Sequence, residues 1–276
     1  MFSAEKTEHN RITSRFSDLK LKGEKGLITF VTAGDPNLQT TKEIVLALEK
    51  AGADIIELGV PYSDPVADGP VIQRASQRAL RAGTNLKKIF QTVRELRETT
   101  QIPILLMTYF NPLLRYGLEA VAADAFASGV DGFIIPDLPF EEKSVFVGEL
   151  KKHNIFLIPL VAPTSGYDRI KQITEDSEGF IYCVSLTGVT GVREGIPQNL
   201  KDFMENVRKV TSAPLAVGFG ISNPEQVSVV SQYCDAVIVG SALVKTIGEK
   251  GDSDELIESV TEFTRNLKQP MINTNS

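Results

Sequence analysis

The stretch "ELGVPYSDPVADGP" runs from Glu57 to Pro70 and sets Glu57, Asp64 and Asp68 among Pro61, Pro65 and Pro70. Glu57 closes the apolar run "ADII", where an acidic side chain is costly to desolvate. A carboxyl group held out of water has a raised pKa and can both give and take a proton near neutral pH. Two carboxylates in different surroundings can divide acid–base work between them. An average glutamate is a surface or ion-paired residue, and the apolar flanks are what set Glu57 apart. Residue type and spacing leave Asp64 and Asp68 undecided as its partner.

Further along, "VGFGISNP" and "VGSALVK" each put small residues directly before a helical start. Free backbone N–H groups at such a place, reinforced by the helix dipole, bind anions. Either motif alone is weak, because glycine often serves only a tight turn. Together they point to a phosphate monoester. The stretch "FIYCVSLTGVTGVREG" spaces Gly188, Gly191 and Gly195 along a loop that either closes over a substrate or merely turns the chain. Tyr182, just before that loop, either hydrogen-bonds a carboxylate or belongs to the core. Phe30, Tyr109 and Phe219 either line a flat apolar pocket or are ordinary core. His9 and His153 lie away from the ends of the apolar runs, which disfavours a histidine-held catalytic metal. No apolar run carries an interior lysine, which disfavours Schiff-base chemistry. Carboxylate acid–base chemistry on a phosphorylated small molecule is what remains.

Those residues need a frame that brings run ends together. The runs "GLITFVTA", "ADIIELG", "IPILLMTY", "GFIIPDL", "IFLIPLVAP", "GFIYCVSL", "PLAVGFG" and "DAVIVGS" are nearly continuous in apolar residues. Strands covered on both faces read this way. Between them lie helical patterns such as "LQTTKEIVLALEKAG", with Ile44, Val45, Leu48 and Ala51 on one face and Gly52 as the stop. About eight strand–helix units in alternation predict an α/β fold of the (β/α)8 TIM-barrel type. A doubly wound open sheet is the alternative, weakened by the lack of G-x-G-x-x-G after the first run. In a barrel, function sits where strands end. Strand alternation puts Ile55, Glu57 and Gly59 on one side, which aims Glu57 into the barrel mouth if that side faces inward.

Composition fits this frame. The chain has 276 residues, a length suited to one such barrel, and no linker or low-complexity block divides it. A single domain over 1–276 is expected, with the barrel at about 16–267 between an N-terminal helix and a polar tail. A net charge of −6 argues against a general nucleic-acid binder. No apolar run approaches the roughly 20 residues of a membrane span, and no signal peptide is visible. Cys183 and Cys234 lack a partner motif and read as buried free thiols of a cytoplasmic protein.

Taken in order and spacing, "FVTAGDP", "ELGVPYSDPVADGP", "TGVTG", "VGFGIS" and "VGSALVK" resemble the tryptophan synthase alpha subunit family, from about Phe16 to Leu267. The resemblance implies retro-aldol cleavage of indole-3-glycerol phosphate to indole and glyceraldehyde 3-phosphate. It assigns the main acid–base role to Glu57 and the second catalytic carboxylate to Asp68, and leaves Asp64 with a loop or interface role. It implies a phosphate site at Gly191, Gly220, Gly240 and Ser241, with Thr190 beside Gly191. It implies an indole pocket at Phe30, Ile72 and Phe219, and places Tyr182 where it would orient Glu57. Leu186 departs from members with arginine there. "MTYFNP" is one residue longer than in some members, so Tyr109 and Asn111 are less fixed by the resemblance. The family usually binds a pyridoxal-phosphate beta subunit in an α2β2 tetramer, so the cofactor is expected on that partner and none in this chain. A free-standing indole-releasing lyase and a barrel kept mainly as an allosteric partner are the alternatives.

Overall fold

A computed structural model describes residues 10–184, 198–218 and 220–272. Nine parallel strands form one sheet: β1 (Gly26–Thr32), β2 (Ile55–Gly59), β3 (Ile104–Met107), β4 (Gly132–Ile134), β5 (Phe156–Leu157), β6 (Leu160–Val161), β7 (Ile181–Val184), β8 (Leu215–Gly218) and β9 (Ala236–Val239). Their order is β5-β4-β3-β2-β1-β9-β8-β7-β6. β5 and β6 are two halves of the expected fifth run, separated only by Ile158 and Pro159. The first half pairs with β4 and the second with β7, so this one segment closes the ring. Proline has no N–H to give a ladder, which accounts for the break at Pro159. Counted by runs, the barrel has the eight strands that the sequence predicts.

Helices cover the outside. Four start on asparagine caps, Asn10, Asn37, Asn85 and Asn223, whose side chains accept a backbone N–H from the first helical turn. The helix Leu38–Lys50 buries Ile44, Val45 and Leu48, the face that the sequence predicts. Four additional helices, Pro70–Arg81, Phe110–Tyr116, Tyr167–Thr174 and Ser241–Lys250, supplement the predicted ones among the described residues. The N-terminal helix Arg11–Lys22 is more than a flank. It sends Ile12 and Phe16 into the inner cluster of Ile28, Ile55, Leu105, Ile134 and Phe180, and so plugs the barrel floor. No described helix is long and apolar enough to cross a membrane.

The floor shows a repeated device. Asp54, Asp131 and Asp235 each stand just before a strand and accept an N–H from the first or second residue of the strand that precedes it in the chain: Leu27 at 2.6 Å, Ile104 at 2.8 Å and Leu215 at 2.8 Å. Each also holds a cation. Asp54 pairs with Arg15 and with Lys268 at 2.7 Å, Asp131 with Arg11 and Arg97, and Asp235 with Arg208. These bonds fix strand register before any side chain at the mouth is considered. Ahead of β7 the same place holds Phe180, whose ring packs on Phe16 at 5.6 Å.

Candidate active site at the barrel mouth

β2 carries Glu57 between Phe30 of β1 and Leu105 of β3. Ile55, on the same side of β2, belongs to the inner cluster, so Glu57 points into the barrel. Its side chain is fully buried, and among the described residues neither carboxylate oxygen has a hydrogen-bond partner. Burial alone pushes its pKa up to about 8. At neutral pH the group therefore rests as the neutral acid.

Tyr182 of β7 lies close enough to Glu57 for that charge to act on it. Burial first, and the Glu57 charge second, hold the phenol well above its ordinary range. No hydrogen bond joins the two side chains in this state. The Tyr182 hydroxyl instead rests against Gly218, where an added Cβ would meet it at 3.1 Å.

Asp68 is half-buried at the end of the proline-rich loop, next to Gly69, the N-cap of the helix Pro70–Arg81. Pro70 suits the first helical position because no N–H is needed there. Tyr109, just after β3, pins the loop. Its hydroxyl accepts the Ala67 N–H at 2.9 Å and donates to the Asp68 carboxylate. Gln73 donates to the Asp68 carbonyl at 2.8 Å. Burial raises the Asp68 pKa, and the Tyr109 hydrogen bond partly offsets it. Tyr62 stacks near Tyr109 at 5.2 Å and accepts from Asn111 at 3.1 Å. Tyr109 and Asn111 thus brace the loop. Asp64 faces solvent, and among the described residues only Ser63 donates to it.

Phe30 and Ile72 pack together with Met107. The Phe30 ring sits so close to β2 that a Cβ on Gly59 would lie 2.4 Å from it, and Gly240 meets Phe30 at 3.3 Å in the same way. Only glycine fits at position 59. The cleft between Phe30, Thr32, Asp68, Ile72 and Tyr109 has about 20 Å³ of free space, room for roughly one water. A bicyclic ring would fit there only if these walls separated. A larger cavity of about 490 Å³ lies between the helices Ser144–Lys151 and Tyr167–Thr174 and shares Pro136 with the mouth cleft.

Gly240 caps the helix Ser241–Lys250 without any side-chain hydrogen bond, which leaves its first N–H groups open. Gly220, beyond β8, is exposed with a positive φ of 64°. Thr190, Gly191, Phe219 and Leu186 lie outside the described residues.

Two features escape sequence reasoning. Asp35, in "FVTAGDP", is buried and grips Arg78 through two bonds of 2.7 and 2.8 Å, tying the end of β1 to the helix that carries Ile72. Thr32, on the inward face of β1, lines the cleft with a buried hydroxyl. The only sequence signal for either is its place at a strand end.

Fold and site together define a (β/α)8-barrel enzyme with carboxylates at the C-terminal ends of its strands. The sequence profile of the tryptophan synthase alpha chain family matches residues 16–272. The alpha chain of Caldanaerobacter subterraneus subsp. tengcongensis is 52% identical over 260 residues, which cover 94% of this chain and 99% of that one. A crystal structure of the alpha chain from Legionella pneumophila superposes with a TM-score of 0.89 at 35% identity, covering 97% of this chain and 99% of that one. A chain from the Pyrococcus furiosus tryptophan synthase α2β2 complex gives 0.83 at 42% identity, covering 88% and 98%. The chain belongs to the tryptophan synthase alpha chain family.

Proposed function

We propose that this chain is the lyase that cleaves indole-3-glycerol phosphate to indole and glyceraldehyde 3-phosphate, with Glu57 as the acid–base group and Asp68 as the second carboxylate. The observation that carries the reading is a fully buried glutamate without a partner among the described residues, aimed into the barrel and kept neutral at pH 7. The neutral acid gives its proton to C3 of the indole ring. The resulting cation accepts the electrons of the breaking C–C bond. The carboxylate left on Glu57 then takes the proton of the adjacent glycerol hydroxyl as that carbon becomes a carbonyl, which restores the neutral acid. Asp68 accepts the indole N–H and stabilises the positive ring while it exists. Tyr182 lies beside Glu57, in place to orient it once the cleft opens.

Phe30, Ile72 and Phe219 are the proposed indole walls. Gly220, Gly240 and Ser241, with Thr190 and Gly191 of the preceding loop, are the proposed phosphate site. The uncapped helix at Gly240 supports it, because open N–H groups at a helix start suit a dianion.

The Pyrococcus furiosus relative is found in an α2β2 complex, and the same assembly with a beta subunit is proposed for this chain. Pyridoxal phosphate belongs to that partner, where it supplies the chemistry that consumes indole. No described strand of this chain carries a lysine to hold it. The proposed place of work is the cytoplasm, which two unbridged cysteines fit. The test is indole release from indole-3-glycerol phosphate, with and without a beta subunit. Wild-type turnover in Glu57→Gln would overturn the assignment of Glu57.

A further inference from the structure

Thr32 occupies the inward face of β1, two residues beyond Phe30 and level with Gly59 of β2. Its side chain is 3% exposed, and its hydroxyl has no partner among the described residues. A buried hydroxyl without a partner forfeits its hydration and gains nothing in return, so each such group needs a reason. Thr29, Thr84 and Thr264 share this state, but none of them lines the cleft. Thr32 does, and so does Asp68. Tyr109 engages that carboxylate from the β3 side. Two acceptor oxygens offer more hydrogen-bond sites than one phenol can fill. Thr108, another hydroxyl of the cleft wall, is already turned to the Tyr109 carbonyl.

We propose that Thr32 is a positioning residue for Asp68: when substrate occupies the cleft, its hydroxyl donates to the carboxylate from the β1 side, opposite Tyr109. This inference rests on the assignment of Asp68 as the carboxylate that meets the indole N–H. Held from both sides, the carboxylate has one orientation left to offer the ring. An added donor also favours its ionised, accepting form. Among the described residues the hydroxyl stays unpaired, a local loss of stability of the kind that functional sites retain.

The test uses the full chain in the presence of beta subunit and compares Thr32→Val, Thr32→Ser, Asp68→Asn and the double variant T32V/D68N. Valine keeps the shape of threonine and removes the unpartnered hydroxyl, so T32V should melt no lower than wild type. It should lower kcat/KM about tenfold, the scale of one hydrogen bond to a charged group. The fall should lie mostly in kcat. The acidic limb of the pH profile should move upward, because Asp68 loses a donor to its ionised form and is protonated at a higher pH. T32S keeps the hydroxyl and should recover most of the rate. In the D68N background T32V should add nothing further.

A T32V enzyme with wild-type rate and profile, beside a D68N enzyme that is impaired, overturns the role of Thr32 alone. Equal losses in T32S and T32V overturn it as well, since the missing methyl would then be what matters. Wild-type rate in D68N overturns the assignment of Asp68 itself. If T32V does not fold, the T32S profile decides: a rate far below wild type at every pH overturns the proposal, and a near-wild-type rate and profile supports it.

Discussion

Asp54 and Glu57 stand three residues apart on one stretch of chain, and the fold treats their buried carboxylates in opposite ways. Asp54, at the floor, faces away from the barrel axis and accepts from Arg15, Lys268 and the Leu27 N–H. Glu57, at the mouth, faces inward and accepts from no described residue. Strand alternation assigns the faces, and the surroundings assign the roles. A carboxylate surrounded by donors is structural, because every lone pair is already committed. One surrounded by hydrocarbon keeps its proton and has its hydrogen-bonding capacity free for a substrate. Asp131 lies between these cases: burial raises its pKa, and Arg97 and the Ile104 N–H pull it back.

The comparison breaks most decisively at Glu57. Removing its acid–base capacity by Glu57→Gln should lower indole release by about 10² to 10⁴-fold with the fold intact. A loss below tenfold in a steady-state assay would return Glu57 to the core. The same contrast governs pH. With a folded pKa of about 8 and an ordinary value of 4.5 in the unfolded chain, Glu57 binds more protons in the folded state than in the unfolded one between those pH values. Its contribution to stability is therefore highest below about pH 4.5 and falls as pH rises toward 8, by up to about 4–5 kcal/mol. Glutamine does not titrate, so the variant should gain stability over wild type as pH rises from 5 to 8. Denaturant melts at the two pH values would show it, and a constant difference would mean that Glu57 is not desolvated.

At the floor, Asp54→Ala should cost about 3–5 kcal/mol of unfolding free energy, because it strands Lys268 and the Leu27 N–H. Indole release well below the melting transition should change little. A large loss of activity with normal stability would erase the distinction between the two ends. The smallest effect belongs to the brace. Tyr109→Phe removes the hydroxyl that holds Ala67 and Asp68, and should lower kcat/KM by about three- to tenfold. It should also raise the pH at which Asp68 takes up its proton, read as an upward move of the acidic limb of the kcat/KM profile. An unmoved acidic limb would deny Tyr109 its hold on the carboxylate.

Much of this was legible in the sequence because it is local. Runs of continuous apolar residues alternating with amphipathic ones named the barrel. The period of two placed Glu57 with Ile55 and Gly59. The pattern of "LQTTKEIVLALEKAG" named the face of its helix that packs inward. Other features were not legible, since each depends on a partner remote in sequence. Spacing could not separate Asp68 from Asp64. Tyr109, 41 residues beyond Asp68, engages that carboxylate, while Asp64 meets water. Asp35 with Arg78, and Lys268 with Asp54 across 214 positions, are invisible until the ring closes.

The sequence by itself determined the strand count and the faces, because alternation and apolar runs act within a few residues. Only the tertiary structure decided which carboxyl group is denied donors and which are saturated with them. Hydrogen-bond supply at a barrel end comes from other strands and helices, and closure of the sheet through Phe156–Val161 brings those within reach.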